Sequence, residues 1–162
     1  IFDLFPYELG GGYYHDTTRT WCIGHAPENV QTAYQQVRDA YDVAIEAYGL
    51  GKPTHTMQEA VQGFLEDKGH PTLRSHPGTE VGYVHSLGHG LGLQVHEAPS
   101  IGHTNHTPTF EIGQVITIEP GLYYPDEGYG VRYENTLYID ENGVLITLTD
   151  FPDDLVLPLN GA

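Results

Sequence analysis

Val115-Ile116-Thr117-Ile118-Glu119-Pro120-Gly121-Leu122-Tyr123-Tyr124 decides the fold class. β-Branched and aromatic residues fill it, and Pro125-Asp126-Glu127-Gly128 follows as a turn, so Val115–Tyr124 is expected as a strand. The next run, Val131–Ile139, reads as a second strand. Asp140-Glu141-Asn142-Gly143 turns the chain into a third, Val144–Leu148. Upstream the period changes. Val30, Ala33, Tyr34, Val37, Ala40, Tyr41, Ala44, Ala47 and Tyr48 recur at helical spacing, with Pro27 in the first turn and Gly49 and Gly51 at the end. Thr56 and Glu59 form a capping-box pair for a second helix with an apolar stripe of Ala60, Val61, Phe64 and Leu65, closed by Gly69. Residues 1–24 read as a hairpin: Ile1–Phe5, a Gly10-Gly11-Gly12 turn, and Tyr13–Trp21. A hairpin, two helices and then antiparallel strands make an α+β layout rather than alternating βαβ units.

The chain has 162 residues, enough for one ordinary domain with a real core. Six Lys+Arg against 22 Asp+Glu give a formal charge of 6 − 22 = −16. Six scattered cations cannot form the basic stripe that phosphates require, which excludes nucleic acid, and they give no purchase on an anionic membrane. No apolar run approaches the roughly 18 residues needed to span a bilayer, and no secretory leader is visible. The single Cys22 cannot form an internal disulfide, which fits a cytoplasmic location. The acidity has two readings: a solvated acidic surface, or carboxylates gathered inside around cations. The chain opens on Ile1, directly in a strand-like run, and is expected to be a piece of a longer protein.

Four acids stand where the pattern does not expect them. Asp3 and Asp16 lie on the two arms of the first hairpin and can face each other across it. Glu119 ends a run that reads as a buried strand, where an unpaired carboxylate is costly. In Val131-Arg132-Tyr133-Glu134-Asn135-Thr136, period-2 alternation puts Arg132, Glu134 and Thr136 on one face. Taken singly, each acid reads as solvated surface. Between them lies His85-Ser86-Leu87-Gly88-His89-Gly90-Leu91-Gly92-Leu93-Gln94-Val95-His96-Glu97. Glycines at 88, 90 and 92 argue against a helix, and no helix follows to bind phosphate. An extended segment delivering imidazoles to a pocket fits better. His85 and His96 read either as structural or as pocket histidines. His103-x-x-His106, in a Thr/Asn/Pro loop, is expected as an exposed loop before a further metal site. His15, His25, His55, His70 and His76 are expected at the surface. Trp21-Cys22 is expected to pack rather than react.

These segments resemble the pita-bread metallopeptidases, which include aminopeptidase P, prolidase and methionine aminopeptidase. Asp3 and the run ending Asp16-Thr17-Thr18-Arg19-Thr20 are similar to the family's two-aspartate segment. Gly88–Glu97 is similar to its histidine segment, and Ile118–Tyr123 and Gly130–Thr136 to its two glutamate segments. The resemblance implies the second half of a pita-bread α+β domain over residues 1–162, an antiparallel sheet with two helices. It also implies that the N-terminal half and any preceding domain are missing. The implied ligands of two divalent ions are Asp3, Asp16, His89, Glu119 and Glu134, with Asp16 and Glu134 bridging. Manganese suits this oxygen-rich set first, with cobalt or zinc as alternatives. His85-Ser86-Leu87-Gly88-His89-Gly90 looks most like the Xaa-Pro-cleaving branch. The implied activity is hydrolysis of the bond between an N-terminal residue and proline, on peptides with proline second, as an aminopeptidase or dipeptidase. In that reading the ions activate a bridging water and polarise the scissile carbonyl. Glu119 shuttles the proton, His85 and His96 hydrogen-bond the carbonyl and oxyanion, and Arg132 orients Glu134 or the substrate. Many prolidases carry an Arg where this chain has Ser100, so substrate length stays open, as does a homodimer. The alternative is a metal-free pita-bread domain that binds peptide or protein. Such a domain would have lost some of the five ligands, and all five are present.

Overall fold

A computed structural model describes residues 1–104 and 106–159. In chain order its elements are β1 (Phe2–Leu4), β2 (Thr17–Arg19), β3 (Cys22–Ile23), α1 (Glu28–Ala47), α2 (His55–Asp67), β4 (Gly88–Gly90), β5 (Glu97–Ile101), β6 (Val115–Ile118), β7 (Gly121–Tyr124), β8 (Tyr129–Arg132), β9 (Asn135–Ile139), β10 (Leu145–Thr147) and β11 (Val156–Leu157). The main sheet is antiparallel with strand order β10-β9-β6-β4-β5. The pairs β1–β2 and β7–β8 are also antiparallel, while the short β3–β11 pair is parallel. The α+β layout with two helices is therefore as the sequence indicates.

The apolar spacing of α1 buries Val30, Ala33, Tyr34, Val37, Ala40, Tyr41 and Ala44. They meet Met57, Val61 and Leu65 of α2 and Ile116, Ile118, Leu122, Leu137 and Ile139 of the strands in one core. Three helix details differ from expectation. Pro27 is the N-cap residue of α1 rather than part of its first turn. The capping box is absent: Thr54 already has helical φ and ψ, so Thr56 lies inside the helix and its hydroxyl donates to the Pro53 carbonyl at 2.7 Å. The buried stripe of α2 is also rotated, taking in Gln58 and Gln62 while Ala60 and Phe64 are only partly covered. Gln58 is tolerated there because its Oε1 accepts from the Leu87 N–H at 2.6 Å and the Tyr83 hydroxyl at 3.1 Å.

The runs Val115–Tyr124 and Val131–Ile139, each expected as one strand, are each two. Pro120 has no N–H to donate, so the β6 ladder stops before it. Ile118 pairs with Asn135 in the main sheet, and Gly121 pairs with Arg132 in the β7–β8 hairpin. The residues between, Glu119-Pro120 and Tyr133-Glu134, lie opposite each other where the chain changes sheets. The Tyr133 N–H still reaches the Pro120 carbonyl at 3.3 Å, but the two glutamate N–H groups turn to other partners: Glu119 N–H to the Leu87 carbonyl at 2.8 Å and Glu134 N–H to the Thr18 carbonyl at 3.1 Å. Both glutamates thus occupy a break in the ladder.

The histidines expected at the surface divide. His25 and His76 are exposed, but His15, His55 and His70 are partly buried. His70 bridges the Tyr124 hydroxyl and Gln36 Oε1, tying the β7–β8 hairpin to α1. His15 bonds Thr17 Oγ1 at 3.0 Å. The aromatic ring of Trp21 packs between Phe2 and Phe151, so the packing reading of Trp21-Cys22 holds.

The strand that carries His89 can sit between β5 and β6 only because glycines flank it. A Cβ on Gly88 would lie 2.0 Å from the Thr117 carbonyl oxygen, and one on Gly90 would lie 2.0 Å from that of Ala98. Both obstacles are backbone and cannot move aside. Gly88→Ala is accordingly expected to destabilise the chain by about 3 kcal/mol, at the upper end of the overpacking range, as read from urea unfolding. Unchanged stability would show that β4 is not packed this closely.

Candidate metal centre

Five elements deliver carboxylates and one imidazole to a single point. Asp3 lies in the middle of β1 opposite Thr18 of β2, so Asp16, two residues before Thr18, stands diagonal to it rather than directly across. The expected hairpin arms are shorter than the sequence suggests; beyond β1 and β2 only the Tyr7–Tyr14 bridge joins them. His89 is the central residue of β4, and Glu119 and Glu134 sit at the two breaks. One ligand atom each of Asp16, His89 and Glu134 lies within 4.8 Å of the others. His89 Nε2 is 3.4 Å from Glu119 Oε1 and 3.8 Å from Asp16 Oδ2. Asp3 is half exposed at the rim, with Oδ2 2.6 Å from an Arg132 guanidinium nitrogen. Asp3, Asp16, His89, Glu119 and Glu134 all line one cavity of about 130 Å³.

Threonines hold these groups in place. The Thr18 hydroxyl donates to Glu134 Oε2 at 2.6 Å and accepts from Arg132 Nε at 3.0 Å. The Thr117 hydroxyl accepts from the His89 N–H at 3.0 Å and donates to Glu119 Oε1 at 3.3 Å. The Thr136 hydroxyl both accepts from the Asp16 N–H at 3.1 Å and donates to the Asp16 carbonyl at 2.7 Å. Behind them Arg19, almost fully buried, spends five N–H bonds on the Thr18, Glu134, Phe151 and Pro152 carbonyls and Asn135 Oδ1. It clamps the backbone at the second break to β2.

The electrostatics of this arrangement are unfavourable without cations. Among the described acids only Asp16 and Glu134 are buried, so most of the −16 is solvated surface and a small part is gathered inside. Burial, then the Asp3 charge, pushes Asp16 up from 3.8 to about 6. Burial and neighbouring carboxylates also raise Glu119 and Glu134 well above the usual carboxylate range. His89 is pushed down, first by burial, and so is neutral near pH 7. Its Nδ1 faces the Gly90 carbonyl at 3.0 Å and must donate there, leaving the Nε2 lone pair aimed at two carboxylates. Asp16 Oδ1 is buried with no hydrogen-bond partner among the described residues. Lone pairs converging on one another call for positive charge between them, and this donor set fits hard or borderline divalent cations.

Beside the carboxylates opens a cleft of about 620 Å³ that includes His85, His89, His96, Ser100, Tyr123 and Arg132 in its walls. His85 Nδ1 donates to the Ser86 carbonyl at 2.7 Å, so Nε2, 2.9 Å from the Tyr123 hydroxyl, is the acceptor. Burial lowers His85 to about 4 and keeps it neutral. Tyr123 in turn accepts from Arg132 at 3.2 Å. His96 is exposed at the mouth, its ring edge-on to His89 with centroids 4.4 Å apart.

The profile of metallopeptidase family M24 matches residues 5–141. The chain belongs to metallopeptidase family M24. It is 38% identical over 144 residues to the Xaa-Pro dipeptidase of Pyrococcus furiosus, covering 87% of this chain and 38% of that one. Its fold superimposes on dipeptidase PepE of Mycobacterium ulcerans with a TM-score of 0.81 at 31% identity, over 97% of this chain and 39% of that one. The prolidase of Pyrococcus furiosus gives a TM-score of 0.78 at 34% identity, over 93% and 40%. The fold is therefore the pita-bread fold of the prolidase and aminopeptidase P branch. The chain spans about two-fifths of the length of these relatives.

Reading the M24 segments in sequence misses the supports. Thr18, Thr117 and Thr136 look like ordinary strand residues, and only their period-2 spacing from Asp16, Glu119 and Glu134 marks them. Tyr123 leaves no such signal, because its role depends on the β7–β8 register. The pH dependence of stability follows from the carboxylates. Unfolded, they ionise near 3.8 and 4.5; folded, they hold their protons to higher pH. The native state therefore binds more protons over this window, and stability falls as pH rises through it. For the metal-stripped chain, urea unfolding is expected to show a loss of a few kcal/mol between about pH 4 and pH 7, each tenfold change in acidity being worth about 1.4 kcal/mol. Glu134→Gln, which removes one buried charge, should flatten that slope. A metal-free chain most stable at pH 7 would contradict this electrostatic account.

Proposed function

We propose that the chain carries the metal centre of a peptidase that hydrolyses the bond between an N-terminal residue and proline, with two divalent cations held by Asp3, Asp16, His89, Glu119 and Glu134. The observation that supports this best is the convergence of the His89 Nε2 lone pair with carboxylates, one oxygen of which, Asp16 Oδ1, is buried with no partner among the described residues. The relatives named Xaa-Pro dipeptidase and prolidase support the bond specificity. One solved relative at 25% identity is described as a cytosolic X-prolyl aminopeptidase of Caenorhabditis elegans with a di-nuclear active site, which supports the count of two. Asp16 and Glu134, which lie with His89 in one cluster, would be shared between the two ions. Oxygen ligands favour manganese, with cobalt or zinc as alternatives. We place the enzyme in the cytoplasm, where the single free Cys22 stays reduced. Among the described residues no helix is long and apolar enough to cross a membrane.

The bound cations supply Lewis acidity and an activated water at neutral pH. Glu119 is poised to take and return a proton, since burial and its acidic neighbours raise it toward neutrality, and Thr117 fixes its orientation. His96 stands at the mouth, edge-on to His89, and hydrogen-bonds the oxyanion. His85 serves the substrate carbonyl from the opposite wall by exchanging its Tyr123 partner for substrate. Arg132 is a positioning residue: it holds Asp3 directly and Glu134 through Thr18. Ser100 in the cleft wall carries no charge for a dipeptide carboxylate, so peptides longer than two residues fit as well.

Calorimetric titration of the stripped chain with Mn²⁺ is expected to give two ions per chain, and Asp16→Asn to abolish tight binding of both; no binding by the unaltered chain would refute the proposal. In the whole enzyme, His96→Ala is expected to lower turnover of an Xaa-Pro peptide by about 10²–10³ with metal content unchanged. Full activity at full metal content would make His96 structural. Because the relatives are longer, and Phe5, which lines the carboxylate cavity, is exposed, the chain alone is expected to be nearly inactive. Activity should appear when the other catalytic half is supplied as a second polypeptide. Equal activity without it would show that the pocket is complete within these residues.

A further inference from the structure

On the other side of the sheet's β5 edge, the first turns of α2 and the segment after β5 bring together His55, Glu59 and His106. One ligand atom from each lies within 4.8 Å of the others. His55 and Glu59 are four residues apart on α2 and so share a face. The His106 ring crosses that of His55 edge-on, with centroids 4.2 Å apart. His55 Nδ1 is buried without a hydrogen-bond partner among the described residues. His103, which shares the His-x-x-His spacing with His106, stays outside the group.

The backbone on both sides of the cluster is fixed before any ligand arrives. The Thr54 N–H donates to the Pro108 carbonyl at 2.9 Å, and the Thr54 hydroxyl donates to the Ser100 carbonyl at 2.8 Å. The Phe110 N–H donates to the Lys52 carbonyl at 3.1 Å, and the Gly51 N–H to the Phe110 carbonyl at 2.9 Å. His55 directly follows one anchor, and His106 lies two residues from the other. Ser100, Pro108 and Phe110 are thus bonded to residues 51–54, which places the histidines of two distant stretches side by side.

We propose that His55, Glu59 and His106 bind one zinc-type divalent cation that fastens the loop after β5 to the start of α2. Two imidazoles and one carboxylate are a zinc donor set, with water completing a tetrahedron. Zn–N and Zn–O bonds of about 2.0–2.2 Å put neighbouring donors about 3.4 Å apart, so from separations within 4.8 Å the cluster needs to contract by at most about 1.4 Å. Glu59 and His106 are exposed and can turn to make that adjustment. The imidazole-rich set distinguishes this site from the oxygen-rich centre, which favours a harder ion. The strongly acidic chain also raises the local concentration of cations. The role is structural: the loop continues from β5, whose Ser100 lines the cleft.

Zinc is the probe for the test, and the whole chain is the sample. In histidine side-chain NMR of the unaltered, metal-stripped chain, stepwise Zn²⁺ is expected to shift the His55 and His106 imidazole signals together. Equilibrium dialysis should find one zinc fewer per chain in His106→Ala, and at least tenfold weaker binding at that site in Glu59→Gln. The His89 signal should respond to zinc equally in all variants. His55 and His106 signals that do not move at saturating zinc, or the same zinc count in His106→Ala and the unaltered chain, would overturn the proposal. Loss of the His89 response instead would count against the carboxylate centre and leave this site standing.

Discussion

Buried carboxylates that face one another and an imidazole lone pair are the constraint on which the rest of this structure depends. Each of Asp16, Glu119 and Glu134 loses hydration and gains a like-charged neighbour, so each is raised above its ordinary acidity. A protein that keeps such a cluster must hold it by other means and supply a cation. The holding is visible in the three threonine hydroxyls, in Arg132 at the rim and in Arg19 behind. None of these removes the repulsion, since Thr18 and Thr117 each offer one proton to a carboxylate with four lone-pair sites. They set direction and leave the inward oxygens free.

The sheet serves the same end. If β6 and β7 were one continuous strand, Glu119 would take its place in a regular ladder, facing a side fixed by alternation alone. The break at Pro120 and the matching break at Tyr133-Glu134 release both glutamates from the ladder at the same level. Arg19 then restores the carbonyl bonds that the second break leaves open. The two glycines beside His89 let β4 approach within a distance that no side chain allows. Breaks and glycines that weaken an ordinary sheet here aim three ligands at one another.

A chain of contacts joins the cation-binding groups to the cleft. Arg132 touches Asp3, Thr18 and Tyr123, and Tyr123 reaches His85. A substrate that displaces Tyr123 from His85 therefore changes a partner of the same guanidinium that holds Asp3. This gives the cleft a physical route to the rim carboxylate Asp3. His55, Glu59 and His106 share no residue with that chain of contacts.

The sequence by itself determined the elements with strong periods and the segments that carry the M24 motifs. The α1 face was legible from nine apolar residues at helical spacing, of which seven are buried while Ala47 and Tyr48, at the end of the helix, are only partly covered. The glycines around His89 and the isolated acids in apolar runs marked the centre before any coordinates. Tertiary structure alone decided the rest. Continuous β-propensity hid the two strand breaks, since the missing N–H of Pro120 interrupts a ladder only where a neighbouring strand would have accepted from it. The same holds for Thr56, whose place within α2 depends on where Ser100 and Pro108 pin Thr54. His70 and His15 read as surface because single polar residues carry no period. Distances between segments more than a hundred residues apart, such as Thr18 to Glu134 or Arg19 to Phe151, are properties of closure of the whole chain and are encoded in no short stretch of it.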